Sequence, residues 1–385
     1  MDKKFVMGIA AMAALTLVSC SSDDLDSFSD NSSKNEAISF DGYLGRSAVA
    51  VNGTRGSEET KETLIGEGKG FGVFGYYNSS ATDHKSTPKE SFEANLFNNQ
   101  QVTCPSTGAN WTYSPLKFWP TQGHIDFLAY APYNYGGTNT TLTGTSINFE
   151  VSKTIANQKD LLWANATSSI SADLTSAKEK VKFHFYHALS RLGYTVKLSG
   201  DYSSDATFKL KKITLAGSPT DATKGAFYTS GTIDLSKQNK IGDLWSNQAG
   251  QQEFDWFSGE YIVKNSTKSH PDKVDNGNRD KSEDYLFVIP QNFSDTDGKG
   301  DKLYVIVEYD VTYNSGTKTT IHNKVYKQIK KNFEQGTAYM LNLTIGLPIE
   351  FDVDITSGVE GWGTDEEINI GSNDNNPWDG IESKK

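Results

Sequence analysis

The residue with the clearest chemistry is Cys20, whose thiol follows Leu17-Val18-Ser19 at the end of an apolar run. Two lysines precede this run, which covers residues 5–18. The order is typical of a signal peptide that ends in a lipobox. A run of about 14 residues is too short for a helix that spans a bilayer, which needs roughly 20. We therefore expect cleavage before Cys20 and attachment of acyl (palmitate) chains to the new terminus, since several chains anchor a protein far better than one.

The segment after Cys20 is polar and acidic, and residues 20–36 predict a flexible tether. Its Ser-Asp-Asp start is similar to the acidic signals that send lipoproteins to the outside of the outer membrane. Cys104 is the second of only two cysteines, so the mature chain has no pair for an intrachain disulfide. A net charge of −11 and a pI near 5.1 argue against nucleic acid as a partner.

Catalytic and metal-binding patterns are missing from the sequence. It contains no Gly-x-Ser-x-Gly elbow, no phosphate-binding loop and no His-Glu-x-x-His pair. His184 and His187 are three residues apart and would point to opposite faces of a strand, which favours structural roles. The loop with Asp295, Asp297 and Asp301 lacks the glutamate that a calcium loop carries at its twelfth position. We predict a protein that is not an enzyme, with no catalytic residue, no cofactor and no metal.

The elements that carry these residues are predicted to be strands, because apolar residues recur with a period of two from Ala37 onward. Only residues 57–65 and 171–180 suggest short helices. Many short strands without alternating helices favour antiparallel sandwiches. The candidate strands are residues 37–43, 70–77, 111–118, 124–130, 181–186, 193–198, 211–215, 226–235, 285–290, 302–313 and 338–355.

The last of these candidates has the longest alternation, which Gly346 and Pro348 divide into two strands. The later strand has carboxylates on one face and apolar side chains on the other. Such a strand can complete a sheet of its own chain or add to the sheet of another chain. Its apolar residues are Ile349, Phe351, Val353 and Ile355.

Taken together, the ordered segments resemble the fimbrillin family of Bacteroidales, which comprises type V pilins and fimbrillin-like lipoproteins. The matching segments span nearly the whole mature chain. They are residues 37–46, 70–77, 111–120, 125–133, 160–164, 181–192, 228–235, 287–291 and 339–347, with Trp362.

The resemblance implies an all-β fold with two transthyretin-like antiparallel β-sandwich domains in tandem. We expect their boundary near Lys180. The predicted organisation is a signal peptide at residues 1–19, a tether at 20–36, an N-terminal domain at 37–180, a C-terminal domain at 181–364 and an acidic tail at 365–385.

The resemblance also implies an assembly route. Family pilins reach the outer membrane as lipoproteins, and an arginine-specific protease then removes the first strand. Arg46 and Arg55 are the two candidate cleavage sites, and either cut would release the segment with Ile38 and Phe40. A donor strand from the next subunit would fill the opened groove, and residues 349–355 are the predicted donor. The alternative is that neither arginine is cut and the protein remains an anchored monomer.

The function expected from these features is that of a fimbrial subunit at the cell surface. Its partners would be other pilin subunits, outer-membrane lipid through Cys20 and the arginine-specific protease. The competing function is a lipid-anchored adhesin that binds a host or glycan ligand. Its binding site would lie on exposed aromatic residues or in the polar loop predicted at residues 239–284. The aromatic candidates are Trp245, Trp256, Tyr261 and Trp378.

Overall fold

Segments in which apolar and polar side chains alternate form β-strands in nearly every described part of the chain. The computed structural model describes residues 37–44, 63–66, 69–79, 92–135, 140–170, 180–237, 244–269, 271, 285–294, 300–347 and 350–357. Cys20, Arg46, Arg55 and Ile349 lie outside these ranges, as do the predicted signal peptide, tether and acidic tail.

The described strands are, in chain order, β1 Phe40–Leu44, β2 Phe71–Asn78, β3 Phe97–Val102, β4 Gly123–Ala131, β5 Ser146–Glu150, β6 Leu162–Ile170, β7 Val181–His187, β8 Ser190–Leu198, β9 Ala206–Ala216, β10 Ser230–Asp234, β11 Trp245–Ala249, β12 Phe254–Val263, β13 Lys268–Ser269, β14 Leu286–Val288, β15 Gln291–Asn292, β16 Leu303–Tyr313, β17 Thr320–Ile329, β18 Asn332–Phe333, β19 Ala338–Gly346 and β20 Glu350–Ser357. A single 3-10 turn at Ile155–Asn157 is the only helical element that we find in the described ranges. None of the described residues forms a helix long and apolar enough to cross a bilayer.

The first part of the chain forms a six-stranded sheet with the order β1-β7-β6-β4-β2-β3. Strand β4 lies inside this sheet and is buried on both faces. Ile125 and Phe127 enter one hydrophobic cluster, whereas Leu128 and Tyr130 enter a second cluster on the opposite face. The sheet is therefore covered on both sides, which explains why β4 is almost continuously apolar.

The later part of the chain forms a four-stranded sheet with the order β12-β9-β16-β17 and a five-stranded sheet with the order β13-β8-β19-β20, in which β14 also pairs with β8. Apolar side chains from both sheets share the second cluster, and the rings of Tyr194 and Trp256 meet at 4.9 Å between β8 and β12. Strand β16, which falls within the candidate strand at residues 302–313, lies between β9 and β17. The fold is all-β and consists of several sheets.

Strand pairing joins the two parts of the chain. The boundary predicted near Lys180 falls between β6 and β7, and these strands pair in the same sheet. In addition, β5 pairs with β10 in a three-stranded sheet of order β11-β10-β5. Segments from both sides of Lys180 thus contribute to common sheets.

Two predicted elements differ from the structure. Residues 111–118 form isolated bridges at Thr112 and Phe118 instead of a strand, because Pro115 interrupts the segment and has no backbone N–H. The prediction of a loop at residues 239–284 was wrong, since this range contains β11, β12 and β13. Two register shifts interrupt the pairing of β12 with β9, so the period of two is broken in its sequence. The predicted helices fall almost entirely outside the described residues.

By contrast, the division of the last apolar ladder is confirmed. Strand β19 ends at Gly346, and β20 begins at Glu350 and returns antiparallel to it. Gly346 is the last residue of β19, where the sequence predicts a break, and Pro348 lies outside the described residues.

Candidate functional site

Residues 37–44, which comprise β1 and the three residues before it and which we call the first strand, have backbone hydrogen bonds on both sides. Strand β1 pairs in parallel with β7, where Phe40 lies opposite Val181. Val181 N donates to Ser39 O at 2.8 Å, and on the other side Ile38 N donates to Lys117 O at 2.8 Å. Residues 37–40 are therefore inserted between β7 and the segment 111–119.

The side chains of this strand fill the interior of the first hydrophobic cluster. Ile38 and Phe40 are only 1% and 2% exposed. We call the cleft that contains these two side chains the first-strand groove. The centroid of the Phe40 ring lies 5.3–5.8 Å from four other rings, those of Tyr113 (5.3 Å), Phe97 (5.4 Å), Phe127 (5.8 Å) and Phe183 (5.8 Å).

Tyr113 combines a ring contact with a backbone contact to the inserted strand. Its hydroxyl donates to Ile38 O at 2.7 Å and accepts from Lys117 N at 3.2 Å. Burial raises the pKa of Tyr113, so its hydroxyl keeps its proton and remains a donor at neutral pH. Because a backbone carbonyl is the acceptor, Tyr113 can hold this strand whatever side chain it carries.

The outer side of the groove is apolar. Leu116 and Phe118 are 56% and 50% exposed, and Phe118 bridges to Ala37 through its backbone. The segment that borders the groove therefore carries two exposed apolar side chains.

The predicted donor strand, β20, completes a sheet of its own chain in this structure. It pairs antiparallel with β19 over all eight residues. Val353 is buried, Phe351 and Ile355 are half-buried against the core, and Asp352 and Asp354 point to solvent. The predicted division into an apolar and an acidic face is thus correct for these residues.

An ion pair holds the outer face of β20. The Lys327 ammonium on β17 donates to Asp352 and lowers the pKa of that carboxyl group. This contact links β17 and β20, the edge strands of the four-stranded and the five-stranded sheet.

The histidines have structural surroundings. His187 Nδ1 lies 2.8 Å from Asp160 Oδ2, and the ring of His184 stacks on Tyr186 at 4.4 Å. Asp301 accepts hydrogen bonds from Gln251 and Gln291 at 2.9 and 2.7 Å. Among the described residues, no group of three or more His, Cys, Asp or Glu side chains could hold a metal ion.

The aromatic residues considered for an adhesin site do not form an exposed cluster in the described chain. Trp256 is fully buried. Trp245 is half-buried, and its Nε1 donates to Ala188 O at 2.7 Å. Tyr261 packs against the core, and Trp378 lies outside the described ranges.

Sequence reasoning located Ile38 and Phe40 but missed the side chains that surround them. Phe97, Tyr113 and Phe127 come from distant parts of the chain, and only the fold brings them together. Phe127 could have been found as a member of an apolar strand. The segment with Tyr113 was predicted as a strand, which gave no sign that its hydroxyl would reach Ile38.

Comparison with known proteins gives consistent results over most of the chain. The fimbrium subunit Fim1C of Phocaeicola vulgatus is 29% identical over 397 aligned positions, which cover 94% of this chain and 97% of that protein. The crystal structure of a fimbrial protein from Bacteroides vulgatus has a TM-score of 0.60 and 23% identity, and the match covers 85% of this chain and 99% of that one. The structural match shows a shared fold. The model of the fimbrillin-like family matches residues 54–362, and this chain belongs to that family.

Proposed function

We propose that this protein is a subunit of a surface fimbria and that it joins the filament by strand exchange at the first-strand groove. The observation that carries the proposal is the insertion of Ile38 and Phe40 into a ring-lined core by a short terminal strand. A fimbrium subunit as a full-length relative supports the same function. The proposed role is structural, with no catalytic activity and no cofactor.

Removal of the first strand would create two defects at once. It would expose the apolar lining of the groove, and burying one large side chain there is worth about 1.5–3 kcal/mol. It would also leave the backbone groups of β7 unpaired along one edge. A strand from another subunit with apolar side chains at alternate positions would repair both defects.

The proposed route to this state begins with export as a lipoprotein acylated at Cys20. At the outer membrane, cleavage after Arg46 or Arg55 would separate β1 from the rest of the chain, because both arginines follow it in sequence. The protein would then have an arginine-specific protease, outer-membrane lipid and neighbouring pilin subunits as partners. Its final location would be the fimbria at the cell surface.

We further infer that the fold is a tandem of two transthyretin-like sandwiches. The strand pairing favours a change from the first to the second domain after His187, since β7 belongs to the six-stranded sheet and β8 pairs with β19. Two predicted domains with a shared hydrophobic cluster would form one stiff subunit, which suits a filament.

A disulfide that locks the first strand tests the proposal. Asp41 lies opposite Lys182 in the pairing of β1 with β7. Neighbouring strands are about 4.8 Å apart, within the range that a disulfide bridges. The full chain with Asp41→Cys and Lys182→Cys is treated with arginine-specific protease, and Asp41→Ser with Lys182→Ser is the matched control.

We expect the control to acquire a new N-terminus at Ser47 or Gly56 and to form ladders of polymers on unheated gels. The locked protein should be cut equally but remain monomeric until a reductant is added. Polymers of the oxidised, locked protein would show that exchange does not occur at this groove.

A further inference from the structure

We propose that strand β17 is an interface between two copies of this chain, in which the two β17 strands pair antiparallel about a two-fold axis and join their four-stranded sheets. This interface is separate from the first-strand groove, since β17 belongs to the four-stranded sheet and β1 to the six-stranded sheet. It requires no cleavage of the chain.

One edge of β17 has no partner strand in the described parts of the chain, since β17 ends the order β12-β9-β16-β17. Tyr313 N donates to Thr319 O at 3.1 Å where β16 turns towards β17. Backbone direction alternates along an antiparallel strand, so the odd-numbered residues of β17 direct their N–H and C=O groups to β16. The even-numbered residues direct theirs to the open edge, and such a row of donors and acceptors is a template for another strand.

The open edge is flanked by exposed apolar side chains on both faces of the sheet. Ile321 is 45% exposed and Tyr326 is 54% exposed. Ile321 lies opposite Val311, which is buried on the interior face, whereas Tyr326 lies opposite Ile306 on the other face. A second strand added at this edge would cover both side chains at once.

A two-fold axis at Val325 gives a register in which the apolar positions of β17 complement themselves. Residues at equal distances on either side of Val325 then face each other. The two Val325 side chains meet at the axis, and Ile321 of one copy meets Ile329 of the other. Such an interface is isologous, because each copy contributes the same surface.

The charged positions of β17 are compatible with the same register. Lys324 faces Tyr326 of the second copy, so that an ammonium group can lie over a ring. Lys327 faces Asn323 of the second copy. An axis at Lys324 would instead place two lysines directly opposite each other, which is unfavourable in a strand pair. Charge therefore favours Val325 over its neighbour as the centre of the interface.

The inward-pointing lysine of β17 has a partner in its own chain. Lysines at such positions usually protect an edge strand from pairing, because their charge would be buried. Lys327 points inward, since it lies opposite the buried Val305. Its ammonium pairs with Asp352 of the same chain, so the charge is compensated within the subunit.

The interface is small, because β17 has only ten residues. Stable complexes bury about 1,200–2,000 Å² in total, so we expect free subunits to associate weakly. In a fimbria, a context that rests on the proposed function, many copies would present the same edge. Pairing between two filaments would then be strengthened by multivalency.

Oxidative cross-linking of the full, uncut chain tests the register. Val325→Cys places two thiols at the axis, where directly opposed residues of an antiparallel pair are within reach of a disulfide. Asn323→Cys is the matched control, because it lies on the same face but is about 13 Å along the strand from its own equivalent. The wild-type chain controls for disulfides through Cys20, and Cys104 is buried.

We expect non-reducing gels to show a covalent dimer for Val325→Cys and monomers for Asn323→Cys alone. A mixture of Asn323→Cys and Lys327→Cys subunits should again form dimers, since these two positions face each other. Monomers from Val325→Cys, or as much dimer from Asn323→Cys alone, would overturn the inference. None of these results depends on cleavage, so strand exchange at the first-strand groove is tested separately, by polymers after protease treatment.

A second variant tests the apolar contact. Ile321→Asp added to Val325→Cys should abolish the covalent dimer, because a carboxylate would face Ile329 of the second copy. Ile321→Leu added to Val325→Cys should retain it. Thermal unfolding of both reduced variants shows whether the subunit itself is intact. An undiminished dimer from the Ile321→Asp variant would show that the strands do not meet in this register and would overturn the inference.

Discussion

The first and last strands of the described chain are held in opposite ways. β1 has five residues, and β20 has eight. Residues 37–40 have hydrogen-bond partners on both sides and place Ile38 and Phe40 in the interior of a cluster. β20 pairs along its full length with β19, but only Val353 among its three described apolar side chains is buried.

The comparison shows that a short strand can be deeply buried, whereas a longer strand can pair along its full length with few buried side chains. The first strand is a plug, because its removal leaves a cavity lined by aromatic rings. The last strand is a cover, because its removal exposes the edge of β19 while the inner face of that sheet remains packed. The plug therefore leaves a binding site for another strand, and the cover leaves mainly an exposed edge.

The largest predicted effect comes from truncating the Phe40 side chain of the first strand. Phe40→Ala in the uncut protein should lower the free energy of unfolding by about 3–5 kcal/mol, because the surrounding rings cannot close the cavity. Phe351→Ala on β20 is the matched variant, and it should lower the free energy by about 1–2 kcal/mol, since its side chain is only half-buried.

Urea denaturation of Phe40→Ala and Phe351→Ala measures the two losses of unfolding free energy. Equal losses would mean that β20 is as deeply integrated as β1, and the contrast between plug and cover would be lost.

Much of this contrast could be predicted from local sequence, and some of it could not. Alternation predicted a strand at residues 37–43, which contains Ile38 and Phe40, and correctly assigned Asp352 to the solvent face of its strand. It gave no information on the partner of β1. That partner is β7, which is about 140 positions later in the chain and pairs in parallel.

Irregular segments were the other limit. The segment 111–119 closes the groove through isolated bridges and the Tyr113 hydroxyl, and neither follows from a period of two. Strand β12 was hidden because its pairing with β9 shifts register twice. A period of two identifies regular strands, whereas one side of the candidate site is the segment 111–119, which has no regular pairing.

A smaller effect is expected from changes of two tyrosines, one of which contacts the backbone of the first strand and the other the backbone just before β20. Tyr113 donates to Ile38 O at 2.7 Å from a buried position, whereas Tyr202 reaches Leu347 O, before β20, at 3.4 Å. Tyr113→Phe should lower the free energy of unfolding by about 1–2 kcal/mol, because a buried carbonyl loses its donor. Tyr202→Phe should change it by less than about 0.5 kcal/mol.

Hydrogen exchange of individual backbone amides tests Tyr113→Phe and Tyr202→Phe locally. The Ile38 amide should exchange faster in Tyr113→Phe, while the amides of β20 should be unchanged in both variants. Equal stability of Tyr113→Phe and wild type would show that Tyr113 acts only through its ring.

The smallest predicted effect concerns the ion pair on the cover. Lys327 and Asp352 have 44% and 64% exposed side chains, so solvent screens their attraction. Lys327→Met should lower the free energy of unfolding at pH 7 by no more than about 0.5 kcal/mol. Lys324→Met, on the same strand and 3.8 Å from Glu308, is the matched control for the loss of one lysine.

The pH dependence of this effect has a defined sign. Lys327 lowers the pKa of Asp352 in the folded protein, so the pair stabilises the fold above the ordinary pKa of an aspartate and loses that effect as the pH falls through the lowered value. The difference between Lys327→Met and wild type should therefore shrink in acid. An NMR titration of the Asp352 carboxyl group should give a higher pKa in Lys327→Met than in wild type and no change in Lys324→Met. An unchanged pKa in both would mean that Lys327 holds β20 only through the apolar part of its side chain.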